Sequence, residues 1–243
     1  MFSALKEPDV AFSYNEKFQM MTICPLCLNK GSFSQMNGPD KRMYLCCDSC
    51  KLVFTTTSFL PTRKEEEKRY KQHNNGIEFP GYVKFLNQAI EPALPLLSKE
   101  MRGLDYGCGP TPTLSVLLEQ QDIKCENYDP IFFPELPEGL FDFIFATECF
   151  EHFFLPAREM QKIKNLLKPG GILIIMTEKW TKPEVFSRWT YAKDQTHVTF
   201  YHADTFRYIS VKYKFNILES SNPRVIMMQK EEVEAEVSEL ITL

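Results

Sequence analysis

The stretch LDYGCGP at residues 104–110 decides the fold of this chain. A short apolar run ends there in a glycine-rich turn, and an apolar pattern of helical spacing begins near Thr113. Glycine is needed in such a turn where the backbone adopts a positive φ or approaches a bound molecule closely. The stretch therefore predicts a strand, a ligand-binding turn and a helix in succession.

An acidic residue ends the next predicted strand. Asp129 follows the strand at 124–128, where a carboxylate can accept hydrogen bonds from both hydroxyl groups of a ribose. A nicotinamide-binding domain would place a third glycine at position 112, and this chain has Pro112 there. The pattern therefore favours a ribose-containing cofactor and disfavours hydride transfer.

These motifs resemble those of the class I S-adenosylmethionine-dependent methyltransferases over about residues 102–230. In that family the Asp-x-Gly-x-Gly turn binds the methionine part of the cofactor, and the acid after the second strand binds the ribose. The stretches FIFATE at 143–148 and LLKPGGIL at 166–173 resemble the family's fourth strand and its Pro-Gly-Gly turn before the fifth strand. The resemblance implies S-adenosylmethionine as cofactor, with Glu148 on its ammonium group. The residues that it assigns to cofactor binding are Asp105, Tyr106, Gly107, Cys108, Gly109, Asp129, Pro130, Thr147 and Glu148.

Short apolar runs that alternate with helical patterns predict a Rossmann-like α/β fold with a mostly parallel sheet. The strands are predicted at 103–106, 124–128, 141–146 and 172–177, the helices at 113–121 and 157–167, and a final antiparallel hairpin at 216–219 and 225–229. Only about eleven residues separate Asp129 from Phe141, too few for a helix and a further strand. We therefore predict that the family's third strand is shortened or absent. Apolar residues of this short segment are predicted either to contact adenine or to pack in the core, namely Ile131, Phe132 and Phe133.

Two cysteine pairs precede this region. Cys24 and Cys27 are followed, after 19 intervening residues, by Cys47 and Cys50. Paired C-x2-C spacing is typical of a structural zinc site, in which four thiolates complete a tetrahedron and leave no position for water. Cys46 is a competing ligand, but the spacing favours Cys47, and buried thiols without a metal are the alternative. We predict a small zinc ribbon before the catalytic domain.

Charge and patterning divide the remainder of the chain. Residues 62–72 are a charged run, which predicts a solvated helix. A loop is predicted at 73–76 and an amphipathic helix at 81–97. Short strands are predicted at 44–45 and 52–54. The predicted order is an N-terminal segment with the zinc ribbon at 1–60, a helical linker at 61–101, the methyltransferase domain at 102–230 and an acidic tail at 231–243.

Two histidines are the candidate catalytic residues. His152 follows the fourth strand in ECFEH, where the family often has a Glu-His pair. His197 lies in DQTHVTFYH at 194–202, which resembles a loop of bacterial family members that also carry an N-terminal zinc ribbon. Methyl transfer is an in-line displacement that needs a general base only for a poorly nucleophilic acceptor. We predict His197 as that base, because an ordinary histidine pKa lies near neutrality. A structural role for either histidine is the alternative.

Aromatic residues between the fifth strand and this loop are a further candidate group. Trp180, Trp189 and Tyr191 are predicted either to form a wall for the acceptor or to pack in the interior. Their sequence pattern alone does not separate these two roles.

Composition limits the choice of acceptor. The 243 residues carry a formal net charge of -4, which gives no global attraction to nucleic acid. We expect a small metabolite or sugar as acceptor. RNA docked by the ribbon is the alternative, and a non-catalytic binding module is the third interpretation. A first segment without signal-peptide character and the absence of an apolar stretch of about 18 residues predict a cytoplasmic protein with no membrane partner.

Overall fold

The structure is a computed structural model that describes residues 22–232. The predicted features within 1–21 and 233–243, including most of the acidic tail, lie outside the described residues. Within the described part the chain forms the strands β1 (Phe33–Met36), β2 (Tyr44–Cys47), β3 (Val53–Thr55), β4 (Arg102–Tyr106), β5 (Lys124–Tyr128), β6 (Phe141–Thr147), β7 (Leu167–Met176), β8 (Thr199–Phe200), β9 (Phe215–Leu218) and β10 (Val225–Lys230). The helices are α1 (Arg63–Tyr70), α2 (Pro80–Ala93), α3 (Thr113–Glu119), α4 (Pro156–Leu166), α5 (Pro183–Phe186) and α6 (Ala203–Tyr213).

The main sheet has the strand order β5-β4-β6-β7-β10-β9. Strands β5, β4, β6 and β7 are mutually parallel, whereas β10 runs antiparallel to both β7 and β9. This confirms the Rossmann-like α/β class and the final antiparallel hairpin. In the described chain β5 is the edge strand, and residues 130–140 return as a loop bridged at Asp129 and Phe133. The predicted loss of the third strand is therefore confirmed.

Side chains on alternate positions of the central strands fill two cores. Along β6, Ile144 and Ala146 face a core closed by α4 and α6, whereas Phe143 and Phe145 face the core on the opposite side of the sheet. Helix α2 covers that second core with its apolar face. Strands buried on both faces are expected of a parallel sheet between helices, and they give the site a rigid support.

Two predicted boundaries were wrong. The fifth strand was predicted to begin at Ile172, but β7 begins at Leu167, because the Pro-Gly-Gly segment stays extended beside β6 through an irregularity in register. The helix predicted over 81–97 ends at Ala93 and continues as a short 3-10 turn, Leu94–Leu96. Pro95 lies in that turn, and a proline lacks the amide hydrogen that an α-helix needs.

Strands β1, β2 and β3 of residues 22–60, which we call the ribbon, form a second sheet with β8 in the order β1-β2-β3-β8. Val53 pairs with Phe200, and Phe54 pairs with Thr199, so β8, which lies between β7 and β9 in the chain, completes the sheet of the ribbon. The buried Arg42 guanidinium donates hydrogen bonds to the backbone carbonyls of His197 (2.8 Å) and Ala192. The ribbon thus holds the loop that carries His197.

No helix within residues 22–232 has both the length and the apolar character that crossing a membrane requires.

Candidate cofactor and acceptor site

A cavity of about 590 Å³ opens at the carboxyl ends of β4, β5 and β6. Ligands of open α/β sheets bind at this edge, because the loops that follow the parallel strands converge there. The structure brings together every residue predicted for the cofactor and both predicted histidines. The predicted residues that line the cavity are Asp105, Tyr106, Gly107, Cys108, Gly109, Asp129, Pro130, Thr147, Glu148, His152 and His197.

The glycine turn follows β4 and is tied to β5. Gly107 has φ +86° and donates its backbone N–H to the carbonyl of Tyr128 at 2.8 Å. A Cβ added at Gly107 would lie 2.5 Å from Sγ of Cys149, whereas one added at Gly109, with φ +68°, meets nothing within 4 Å. Gly107 is therefore required by the fold, and Gly109 leaves open space on the cavity side.

Alanine substitutions should separate these two roles. We expect Gly107→Ala to lower the free energy of unfolding by about 2–4 kcal/mol, because backbone strain and overpacking add. Gly109→Ala should cost only about 1–2 kcal/mol, since the strain acts alone, while its methyl group projects into the space where the cofactor would bind. Urea unfolding checks both values, with Gly81→Ala in open space on α2 as the control. Equal losses for Gly107→Ala and Gly109→Ala would contradict this assignment.

Asp129 organises the loop after β5. Its Oδ1 accepts hydrogen bonds from the backbone N–H groups of Ile131 (2.8 Å) and Phe132 (3.0 Å), and its Oδ2 accepts one from Gly109 (3.1 Å). A carboxylate has about four acceptor positions, so Oδ2 can accept one further bond. The carboxylate joins the turn after β4 to the loop after β5 and lines the cavity between them.

Buried carboxyl groups give the cavity an acidic character. Burial, together with the nearby charge of Asp129, raises the pKa of Asp105 to about 7. Burial also raises the pKa of Glu66 to about 7 and, together with the charge of Glu151, that of Glu148 to about 8. Oδ1 of Asp105 has no hydrogen-bond partner among the residues that the structure describes. A bound cation stabilises the ionised form of these carboxyl groups.

Glu148 is held at the end of β6 in a strained backbone conformation, φ +46°. Its Oε1 accepts a hydrogen bond from Nη2 of Arg224 at 3.1 Å, and Nη1 of the same arginine lies 3.2 Å from Glu178. Arg224 also stacks over the ring of Phe85, 5.3 Å from its centroid. One arginine thus partly balances the two glutamates and fixes the position of Glu148 in the cavity wall.

Helix α1 forms another wall of the cavity. Nη2 of Arg63 donates a hydrogen bond to the carbonyl of Pro130 at 3.0 Å, and Nη2 of Arg69 lies 2.7 Å from Oδ2 of Asp194. Tyr70 places its ring edge-on to His152, with the centroids 5.1 Å apart. The charged run therefore does more than connect two segments, because it contacts both the cofactor side and the histidine loop.

The two histidines lie together, with ring centroids 4.8 Å apart. Nδ1 of His152 is 3.0 Å from the carbonyl oxygen of Thr196, and Nδ1 of His197 is 2.7 Å from that of Tyr191. Burial lowers the pKa of His152 to about 4 and that of His197 to about 3. The near-neutral pKa on which the prediction of His197 as a base depended is therefore absent from the structure.

The family comparison agrees with this geometry. The family model described as a methyltransferase domain matches residues 79–220. The chain belongs to this family. It is an S-adenosylmethionine-dependent methyltransferase, and the matched region includes α2 and all four parallel strands of the sheet.

Solved structures of methyltransferases are similar to this methyltransferase. An O-methyltransferase family protein from Burkholderia thailandensis has 16% sequence identity and a TM-score of 0.49, with 74% of this chain and 66% of that chain covered. The 1,6-didemethyltoxoflavin-N1-methyltransferase of the same organism, with bound 1,6-didemethyltoxoflavin and S-adenosylhomocysteine, has 14% identity and a TM-score of 0.49, with 82% of this chain and 100% of that chain covered. No curated protein sequence matches the chain.

The apolar and aromatic candidates of the methyltransferase divide between the cavity and the interior. Ile131 lines the cavity, whereas Phe132 packs against Tyr70 at 6.5 Å between ring centroids. Trp180 and Trp189 pack in a cluster between the ribbon and the catalytic region instead of forming an acceptor wall. Sequence analysis missed several cavity residues. Apart from Glu66, which belongs to the charged run at 62–72, they are aromatic residues of the two helices before β4, of β5 and of the segment after β6, and their only signal was that aromatic content. The missed residues are Glu66, Tyr70, Tyr82, Phe85, Tyr128 and Phe153.

The four predicted cysteines of the ribbon form a compact cluster. Sγ of Cys24 lies 3.5 Å from Sγ of Cys50, and Sγ of Cys27 lies 3.5 Å from Sγ of Cys47. Tetrahedral zinc with bonds of about 2.3 Å places its sulfur ligands roughly 3.8 Å apart, so the donor set fits a metal ion. Cys46 lies outside the cluster and packs with a different group of apolar side chains. The position of Cys47 in the cluster agrees with its spacing from Cys50.

Proposed function

We propose that the methyltransferase binds S-adenosylmethionine in the cavity and transfers its methyl group to a small-molecule acceptor. The observation that carries this proposal is the set of buried carboxyl groups with raised pKa values around a glycine turn, chiefly Asp105 and Glu148. The cofactor carries a sulfonium and an ammonium group, and these positive charges complement the carboxyl groups of the cavity.

The roles of the individual residues follow from their places in the cavity. Gly107 and Gly109 allow the methionine part of the cofactor to lie close to the backbone. Oδ2 of Asp129 accepts a hydrogen bond from a ribose hydroxyl group. Glu148 holds the ammonium group and shares its charge with Arg224. The remaining predicted residues Tyr106, Cys108, Pro130 and Thr147 complete the wall.

Methyl transfer places limited demands on the protein. When bound, the cofactor supplies a methyl group on a positively charged sulfur. The chain has to bind the cofactor, align an acceptor atom with that carbon and exclude water. The buried carboxylates bind the cofactor through its positive charge, α1 covers the cavity, and His152 with His197 orients the acceptor. These residues account for catalysis without a strongly basic side chain.

We further propose that three successive segments of the chain form three parts of the protein. Within the segment 1–60, residues 22–60 form a ribbon that binds zinc through Cys24, Cys27, Cys47 and Cys50. Residues 61–101 supply one side of the cavity, and 102–230 form the catalytic domain. The zinc is structural, because four thiolates fill its coordination shell.

The acceptor class is tested by following a labelled methyl group. Purified protein and methyl-tritiated cofactor are incubated with a metabolite extract and, separately, with total RNA from the same cells. We expect label in the small-molecule fraction, because the cavity is partly enclosed by α1 and the chain has a net charge of -4. Label confined to RNA would contradict the small-molecule assignment while leaving the cofactor assignment in place.

Cofactor affinity should rise with pH. The ionised forms of Asp105 and Glu148 bind cations best, and their pKa values are raised to about 7 and about 8. Between about pH 5.5 and about pH 7 we expect the association constant for S-adenosylmethionine to increase about tenfold. Without cofactor, the same raised pKa values should lower stability over this window, since the unfolded chain releases those protons at lower pH. Isothermal titration at several pH values measures the effect, and an affinity that falls with pH would contradict it.

A further inference from the structure

A second group of metal-binding side chains lies beside the proposed cofactor site. One donor atom each of Glu151, His152 and His197 lies within 4.8 Å of the donor atoms of the other two. Glu151 and His152 belong to the single 3-10 turn after β6, and His197 belongs to the loop before β8. We propose that these three residues bind a first-row divalent metal ion whose open coordination positions face the cavity.

The hydrogen bonds of the two histidines involve Nδ1 and leave Nε2 of each ring free to bind a metal ion. Because a carbonyl oxygen only accepts hydrogen bonds, Nδ1 of His152 and Nδ1 of His197 both carry the proton in their contacts with Thr196 and Tyr191. The lone pair of each ring is then on Nε2. Histidines that bind metals through Nε2 commonly donate the other ring N–H to a backbone carbonyl, which fixes the ring orientation.

Glu151 supplies the negative charge. Its side chain is fully buried, and Oε2 accepts a hydrogen bond from Oγ1 of Thr177 at 2.9 Å. Oε1 has no partner among residues 22–232. Burying a carboxylate oxygen without a partner is unfavourable. A metal ion at this position supplies the missing partner.

The fold holds the three donors in place. The backbone N–H of Val198 donates to the carbonyl of Glu151 at 2.8 Å, which ties the histidine loop to the 3-10 turn. Arg42 of the ribbon fixes the other side of the same loop through the carbonyl of His197. Ligands that are positioned by the backbone before the ion arrives are expected of a functional metal site.

The ligand set indicates the class of ion. Two imidazoles and one carboxylate suit zinc, iron, manganese or cobalt, and three protein ligands leave room for water or substrate. Both histidines line the cavity, so the open positions face the acceptor. Resting on the proposed function, this favours an acceptor with a hydroxyl or carboxylate oxygen, because a metal ion orients such a group and lowers the pKa of a hydroxyl.

Manganese is the most suitable probe, because it binds thiolates weakly and leaves the zinc-filled ribbon unchanged. The full chain, loaded with zinc and free of cofactor, is titrated with Mn²⁺ and followed by electron paramagnetic resonance. We expect one Mn²⁺ per chain, and at least about a tenfold loss of affinity in both His197→Ala and Glu151→Gln. The matched control is His73→Ala, a cavity histidine outside the cluster, which should bind Mn²⁺ as the unsubstituted protein does.

A second measurement on the unsubstituted protein covers the case in which a variant does not fold. Spin-echo spectra of bound Mn²⁺ should show modulation from two imidazole nitrogens. Absence of saturable Mn²⁺ binding at millimolar concentration, or bound Mn²⁺ without imidazole modulation, would overturn the metal site. S-adenosylmethionine binding is measured separately in metal-free buffer on the zinc-loaded protein. Failure of that binding alone rejects the proposed function and not the metal site.

Discussion

Cys24→Ser is expected to remove the metal ion from the ribbon and to destabilise both the ribbon and the part of the protein packed against it. Zinc binding to comparable finger peptides is worth about 10–16 kcal/mol, and a serine hydroxyl does not replace a thiolate ligand. Cys24, Leu26 and Phe54 pack in the same core as Tyr201 and Phe206 of the catalytic region. Zinc content should fall from about one per chain to near zero, and Tm should fall by roughly 10 °C, which for a chain of this size corresponds to a loss of a few kcal/mol.

The loss of the ribbon should affect methyl transfer more than cofactor binding. Strand β3 pairs with β8, and Arg42 holds the carbonyl of His197, so the acceptor loop depends on the ribbon. The glycine turn depends on β4 and β5 instead. We therefore expect a large fall in kcat/KM with less than about a threefold change in cofactor Kd, a difference of under about 1 kcal/mol.

Cys46→Ser is the matched control for this prediction. Cys46 precedes Cys47 on the same strand and is buried, but it lies outside the four-cysteine cluster. It should retain zinc and lose only about 1 kcal/mol of stability, as is usual for a modest change at a buried position. Metal analysis and thermal unfolding measure both variants. Full zinc content in Cys24→Ser, or equal loss in Cys46→Ser, would reject the proposed ligand set.

Asp129→Ala should weaken S-adenosylmethionine binding by about a hundredfold. One hydrogen bond to a charged group contributes about 1.5–3 kcal/mol, so loss of the proposed bond to the ribose at the upper end of this range weakens binding by about a hundredfold. The substitution also removes the bonds from Gly109, Ile131 and Phe132. The last three bonds join the turn after β4 to the loop after β5. Both the direct contact and the shape of the cavity are therefore lost, and calorimetric titration measures the sum.

Two further variants make this result specific. Asp129→Asn keeps the size and one oxygen atom but loses the charge, and should retain part of the affinity. Glu135→Ala removes an exposed acid from the same loop and should leave Kd unchanged. An Asp129→Ala protein that binds the cofactor as tightly as the unsubstituted protein would show that the ribose assignment is wrong.

The sheet and the cofactor side of the cavity were predictable from the sequence. Strands β6 and β7 are buried on both faces and contain nearly continuous apolar runs, and the alternation of strands with helices indicates a parallel sheet. The importance of three residues was predictable from the local sequence. The turn needs a positive φ at Gly107 and Gly109, and Asp129 is a carboxylate directly after a strand. Even the missing third strand followed from a count of residues.

The acceptor side was not predictable to the same extent, because it is assembled from distant segments. Strand β8 has only two residues and acquires its conformation by pairing with β3. Helix α1 carries a solvated charge pattern, yet Arg63 and Arg69 contact Pro130 and Asp194, far along the chain. The low pKa of His197 likewise results from burial that no local pattern reveals.

The most direct test of the central claim is isothermal titration of the purified protein with S-adenosylmethionine at about pH 7.5. The account predicts one cofactor per chain with a Kd in the micromolar range, about -7 to -8 kcal/mol, together with a hundredfold loss in Asp129→Ala. A folded, zinc-loaded protein that gives no binding at millimolar cofactor would contradict it.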